Sequence, residues 1–471
     1  MIKFGTDGWR ARISEEFTFE NVRVLAQAIS DLLHSENKNK TKKPHMLIGY
    51  DTRFLSNEYA KLMAEVFCAN KIKVSLTTKP TPTQIISFSI VNRHLDGGIM
   101  VTASHNPPEF NGIKFRANFG GSPDESFTKK IESKLHKSKV NSISLDDAKK
   151  KNLFDFADDL DDNYIKFLNN YVDIKKIKNS NLKLLIDPMH GAGIGYLEKI
   201  LKGGKLKIET TRSFINPSFG GVNPEPIEKN LLSSMKIMKD GDFDMCIATD
   251  GDADRVGAIN EKGVFITTQQ VFMLLFVHMV EDKLMRGDLA RTVSATNILD
   301  KIANKFNLGI FETAVGFKYI ASIIRDKDIL IGGEESGGYS FKNYIPERDG
   351  ILAGLLLLEM MVMKKEKISA ILDSIEKIYG RSRFVRKDVH YPLELKEKFL
   401  TKVKKEPPVK LAGKKITKIQ TIDGIKFVLE DESWLLLRFS GTEPLLRIYA
   451  ETDSLSKTEK LIEAGLKLTA V

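Results

Sequence analysis

Short apolar, β-branched runs alternate along the chain with longer stretches of helical period. MLIGYD (46–51), IKVSLTT (72–78), GGIMVTA (97–103), LKLLIDP (182–188), FDMCIATD (243–250) and DILIGG (328–333) read as strands. NVRVLAQAISDLLH (21–34), NEYAKLMAEVFCAN (57–70) and EPIEKNLLSSMKIMKD (225–240) carry an apolar face at helical spacing. This alternation predicts α/β units with largely parallel pairing. From about residue 383 the pattern changes: KITKIQTIDGIKFVLEDESWLLLRFS reads as consecutive strands and TDSLSKTEKLIEAGLKLTA as one closing helix, an α+β tail. A chain of 471 residues has room for three or four domains. The expected units are 1–150, 151–262 and 263–380, all α/β, and 381–471, α+β.

Four apolar strands end in polar, glycine-bearing turns: IMVTASHN, MCIATDGDADR, ILIGGEESGG and LLLRFSGTEP. The turns begin near 104, 250, 333 and 440, one in each expected unit. Ligands of α/β sheets bind beyond the carboxyl ends of strands, so the four turns are expected to face one central cleft.

Composition narrows the setting. The apolar runs near 270–280 and 351–363 fall short of the ~20 residues of a membrane span, and the second contains Glu359; both read as buried helices and no membrane partner is expected. Cys68 and Cys246 have no metal or redox spacing, and MIKFGTDGWRARI has no secretory pattern, so a reducing, cytoplasmic setting is expected. The net charge of +10 comes from lysine runs such as 37–45, 173–183 and 402–410, which read as solvated loops and linkers. With no RNP-type aromatics or zinc-finger spacing, no nucleic-acid partner is expected.

The turns themselves carry the chemistry. DGDADR places Asp250, Asp252 and Asp254 at alternate positions; three carboxylates so close call for a hard divalent cation, Mg²⁺ or Ca²⁺. An EF-hand is excluded, because its sixth position is Arg255 rather than glycine and a strand precedes it. Arg255 beside the acids suits an anionic substrate. RFSGTEPLLR joins Arg438, Ser440, Gly441, Thr442 and Arg447 as donors for one phosphate. GGEESGG offers Glu334, Glu335 and Ser336 to sugar hydroxyls. HGAGIG (190–195) fails as a dinucleotide loop, because Tyr196 stands where the third glycine belongs. Ser104 lies between Ala103 and His105, which is not the G-x-S-x-G elbow of an acyl-transferring serine.

Together, TASHNP, DGDADR, GEESGG and RFSGTEP, with FGTDGWRA at the start, resemble the α-D-phosphohexomutases over essentially the whole chain. The resemblance implies three related α/β domains with mixed sheets and a fourth, TATA-binding-protein-like domain around a central cleft. It implies that Ser104 carries a phosphoryl group and, with the three aspartates, binds Mg²⁺. Glucose 1-phosphate would become glucose 1,6-bisphosphate, the activating intermediate, then glucose 6-phosphate. Arg10, His105 and Lys114 match family positions near the transferring group; Lys114 is the first candidate for general acid/base, if neighbouring positive charge lowers its pKa, and His105 the second. Arg438, Ser440, Gly441, Thr442 and Arg447 would hold the non-reacting phosphate. Glu334 and Ser336 would contact sugar hydroxyls, and Lys318 the substrate.

The sugar loop departs from the dual-specificity phosphomannomutase/phosphoglucomutase pattern GEMSGH, with Gly338 in the place of histidine. It shares GEES with the glucose-specific GEESFG. SGTEP is closer to the glucosamine branch. Glucose is therefore the expected sugar, mannose a second, with a phosphoglucosamine mutase, a phosphosugar phosphatase and a non-enzymatic sugar-phosphate-binding protein as rivals.

Overall fold

The computed structural model describes residues 2–36, 43–439 and 444–469. Its first sheet has six strands in the spatial order Trp9–Arg12, Phe110–Ala117, Gly97–Val101, His45–Tyr50, Lys73–Thr77 and Phe154–Ala157. Phe110–Ala117 alone runs against the other five, which makes the sheet mixed. The second sheet runs Phe265–Ile266, Val256–Asn260, Met245–Thr249, Lys183–Asp187, Lys207–Thr210, and the third Ile310–Thr313, Asp288–Thr292, Ile329–Gly333, Tyr339–Phe341. Gly97–Val101, Met245–Thr249 and Ile329–Gly333 are buried along their whole length, because layers cover both faces of these sheets. The fourth sheet is six-stranded and wholly antiparallel, and Leu455–Thr469 packs on it.

The cores explain how the units join. One apolar cluster runs from Ile86 and Tyr164 through Ile247 and Phe272 to Leu356, uniting the first three units. The fourth has its own core around Phe399, Phe427 and Ile448. It meets the third through a small cluster at Val293, Trp434 and Tyr449 and through polar contacts: Lys426 Nζ donates to Val293 O at 2.8 Å, and Val315 N to Asp423 Oδ2 at 3.0 Å.

The expected strands are present, and both long apolar runs are buried helices, Thr268–Val277 and Gly350–Lys364. Among the described residues no helix is long and apolar enough to cross a membrane. Three details differ. Phe154–Ala157 hydrogen-bonds to Lys73–Thr77, so the first sheet runs past residue 150, and Phe265–Ile266 carries the second past 262. The helix expected over 225–240 starts only at Leu232, after an extended Ile227 and a 3₁₀ turn at Glu228–Asn230. The lysine runs at 173–183 and 402–410 are partly helical, at Ile174–Lys178 and Lys396–Lys405, with Ile174, Ile177 and Phe399 buried beneath the charges.

Candidate active site

Three of the four turns meet backbone to backbone. Gly251 lies so close to the serine loop that a Cβ there would stand 2.4 Å from Ser104 O. On its other side the carboxylate hairpin meets the sugar loop, where Val256 N donates to Gly337 O at 3.0 Å. Of the fourth turn, Ser440, Gly441 and Thr442 lie outside the described residues; Arg438 and Arg447 stand directly opposite each other on neighbouring strands.

Ser104 is buried in left-handed conformation, φ +52°, a strained geometry for a residue with a side chain. Its neighbours hold it there. Ser104 N donates to Thr102 Oγ1 at 2.8 Å, which donates to Asp51 Oδ2 at 2.6 Å. Arg53, paired with Asp51 at 3.2 Å, donates to four carbonyls of the same loop: Ser104 at 2.7 Å, Asn106 at 2.6 Å, Pro107 at 2.8 Å and Phe110 at 2.9 Å. The sequence reading missed this pair, although DTR directly after a buried strand was the available signal. HGAGIG supports the carboxylate loop rather than a nucleotide: Ala192 N donates to Gly251 O at 2.9 Å, and a Cβ on Gly191 would stand 2.8 Å from Asp250 O.

Ser104 Oγ donates to Asp250 Oδ2 at 2.9 Å. Asp250, Asp252 and Asp254 are fully buried, and one ligand atom from each lies within 4.8 Å of the others. Lys114 Nζ binds Asp252 Oδ2 at 2.6 Å and Asp254 Oδ2 at 2.9 Å, while Oδ1 of both carboxylates is buried with no hydrogen-bond partner among the described residues. Burial, and then the charges of Asp252 and Asp254, push Asp250 well above the usual carboxylate range. Two orphaned oxygens in an over-concentrated acidic site fit a hard divalent cation, which would satisfy both the oxygens and the repulsion.

Of the remaining candidates, His105, Lys114 and Arg255 contact this centre directly, whereas Lys318, Arg438 and Arg447 pair with acids outside it. His105 Nδ1 is 3.4 Å from Ser104 Oγ; burial and the cations Arg255, Arg10, Lys114 and Arg53 hold its pKa well below the usual imidazole value. Arg10 Nη1 donates to Asn106 Oδ1 at 2.8 Å. Lys114 does not have the lowered pKa its candidacy required. Burial pulls it down, but Asp252, Asp254 and Asp7 outweigh burial and raise it, so this arrangement keeps an ammonium. Arg255 is buried, 3.8 Å from Glu225 and 4.0 Å from Asp254. Lys318, on the helix Phe317–Asp326 of the third unit, reaches the edge of the first, 3.6 Å from Glu125. Glu334 is buried, which pushes its carboxyl up to about 7, and Ser336 Oγ is buried without a partner among the described residues. Glu335 turns away and accepts from Ser294 Oγ at 2.6 Å. Arg438 is tethered to Asp423 at 2.6 Å, and Arg447 lies 3.9 Å from Asp388. Also unforeseen is a group of buried Arg116, Glu347 and Arg348 with partly buried Asp7 behind Lys114, linked by contacts of 2.6 to 3.4 Å.

A buried, conformationally strained serine hydrogen-bonded to a cation-ready carboxylate cluster, where three α/β units meet, suits an enzyme of phosphoryl-transfer type. Comparison with known proteins makes this specific. The phosphoglucomutase/phosphomannomutase alpha/beta/alpha domains I, II and III match residues 1–142, 162–263 and 267–379, and the C-terminal domain of that family matches 393–467. A phosphoglucomutase/phosphomannomutase of Thermococcus kodakarensis is 32% identical over 99% of this chain and 98% of its own. A phosphoglucosamine mutase of Methanococcus maripaludis is 31% identical, over 99% and 98%. The crystal structure of a Thermus thermophilus protein described as a phosphomannomutase superposes with a TM-score of 0.87 at 32% identity, covering 99% and 98%. The chain belongs to the phosphoglucomutase/phosphomannomutase family and is a mutase, an isomerase that transfers phosphoryl within its substrate.

Proposed function

We propose that this enzyme interconverts hexose 1-phosphates and hexose 6-phosphates, glucose first and mannose second, through a phosphoserine at Ser104 and a hexose 1,6-bisphosphate. The observation that carries the reading is Ser104 Oγ, buried and 2.9 Å from a carboxylate of the cation-ready triad. Asp250, Asp252, Asp254 and Ser104 would hold Mg²⁺. Bound there, it supplies charge neutralisation to the transferring phosphoryl oxygens.

In the forward direction the Ser104 Oγ–P bond breaks as the sugar O6 bonds to phosphorus, and the O6 proton leaves to a base. His105, its imidazole kept neutral 3.4 Å from Ser104 Oγ, is the base this arrangement offers, and Lys114, kept as an ammonium, supplies positive charge to the same site. After the bisphosphate turns over, the O1–P bond breaks, Ser104 recovers a phosphoryl group and O1 takes a proton. Arg10 and Arg255 add positive charge near the transferring group. Glu334 and Ser336 accept sugar hydroxyls, and Lys318 reaches the substrate from the rim. Arg438 and Arg447, with Ser440, Gly441 and Thr442, grip the phosphate that is not reacting. The sugar binds in two orientations, so this last grip falls on the group common to both. Burial of Ser104 keeps water from the phosphoserine.

A second reading, phosphoglucosamine mutase, is favoured by relatives of that name and by SGTEP. Phosphorus NMR of glucose, mannose and glucosamine 1-phosphates in one tube, with Mg²⁺ and a trace of glucose 1,6-bisphosphate, tests both. Growth of 6-phosphate signals without inorganic phosphate is the expected result, with glucose fastest. Glucosamine fastest would select the second reading, and released inorganic phosphate would overturn both.

A further inference from the structure

Arg348 has no part in the proposed chemistry, yet it touches three of the units that build the site. Its guanidinium is buried. Nη2 lies 2.6 Å from Asp7 Oδ2 and 2.7 Å from Asp254 Oδ2, and Nη1 lies 3.7 Å from Glu334 Oε2. It therefore bridges the N-terminal FGTDG turn, the carboxylate triad and the sugar loop. Asp254 Oδ2 is taken by Arg348 and Lys114 together, which leaves Oδ1 as that residue's open ligand atom. The turn bearing Arg348 is itself fixed against the carboxylate loop, where Gly350 N donates to Ala253 O at 3.2 Å.

Gly338 explains how the arginine fits. A Cβ on it would stand 2.3 Å from Arg348 Cδ and 2.9 Å from Cγ. The backbone of Gly338 does not have the positive φ that would demand glycine, so the side-chain clash is what excludes a larger residue.

We propose that Arg348 is a positioning residue that sets the sugar-binding carboxylate Glu334 and the metal-binding carboxylate Asp254 relative to each other, and that Gly338 is the vacancy that admits it. Sugar selection and metal affinity are then coupled through one side chain. The inference rests on the proposed mutase reading for its sugar arm, but not for its metal arm.

The test is a double-mutant cycle of Gly338→Ala and Arg348→Met, with Arg348→Lys as the conservative variant. Mn²⁺ binding is read by electron paramagnetic resonance, and the kcat/KM ratio between glucose and mannose 1-phosphates by phosphorus NMR. Arg348→Met is expected to weaken Mn²⁺ binding by about ten- to hundred-fold, the usual effect of losing a group that orients a metal ligand. It is also expected to move the epimer ratio toward unity. Arg348→Lys recovers most of both. Gly338→Ala reproduces the loss in part while the arginine is present, and adds nothing once Arg348 is methionine. Unchanged Mn²⁺ affinity and epimer ratio in Arg348→Met would overturn the proposal, and so would effects that multiply in the double variant. If Arg348→Met does not fold, Arg348→Lys and Gly338→Ala decide, since Gly338→Ala displaces the guanidinium without removing it. If the wild type turns over no hexose phosphate, the mutase reading fails, and the Mn²⁺ titrations still decide whether Arg348 holds Asp254.

Discussion

Gly251→Ala adds one methyl group at the point where the serine and carboxylate loops touch. Its Cβ would lie 2.4 Å from Ser104 O and 3.3 Å from Pro224 Cγ. Carbonyl oxygens and methyl carbons need about 3.4 Å, so the two loops must part by about 1 Å. Ser104 O cannot yield alone, because Arg53 holds it at 2.7 Å. The strain therefore falls on the Ser104 Oγ–Asp250 distance, 2.9 Å in the intact protein. A displacement of about 1 Å at a reacting group costs on the order of a hundredfold in rate, or about 2.7 kcal/mol of barrier. The assay is kcat for hexose 1-phosphate at saturating Mg²⁺ and 25 °C, with circular dichroism showing that the variant is folded. A kcat within about threefold of wild type, under 0.7 kcal/mol by the same conversion, would refute the claim that direct contact of these loops sets the reacting geometry.

Three further outcomes are expected. Arg53→Met leaves four loop carbonyls without their donor and Asp51 buried without its cation; destabilisation of about 3–5 kcal/mol, read from urea unfolding, should accompany loss of turnover, and a neutral effect on both would show that other contacts hold the serine loop. Chelation with EDTA should abolish turnover and added Mg²⁺ restore it, while Asp252→Asn raises the half-activating Mg²⁺ concentration by more than about tenfold; full activity in EDTA would remove the cation from the mechanism. Asp349 caps the helix Gly350–Lys364 and accepts from Tyr164 and Tyr344, and burial raises its carboxyl from 3.8 to about 6. Its proton thus stabilises the fold in full below about pH 3.8, and that contribution, about 3 kcal/mol, is lost as pH rises through 6. The urea-midpoint difference between wild type and Asp349→Asn should accordingly shift between pH 4 and 7, and a flat difference would contradict the buried charge.

The chain's own pattern determined the elements and the kind of chemistry. Fully apolar strands such as MCIAT and ILIGG identify themselves because covered sheets need apolar side chains on both faces, and an acidic D-x-D-x-D turn advertises a cation whatever surrounds it. Local sequence also excluded the EF-hand and the dinucleotide loop. It misjudged the helix start near 225, and the layer borders turn on strand pairing across about 80 residues, as between Thr77 and Ala157.

Contact across the fold decided what no local reading reaches. Arg53 and Arg348 look like surface arginines in sequence. They are buried only because distant segments, 51–57 residues away for Arg53 and 341 for Arg348, bring the carbonyls and carboxylates that compensate a charge removed from water. Lys114 is the sharpest case. The motif singled it out, but its charge state depends on Asp252 and Asp254, 138 and 140 residues onward, and on Asp7, whose combined field overcomes burial. Residue types along a chain prescribe which chemistry is available; the distances between charges, which only folding sets, decide which group is free to perform it.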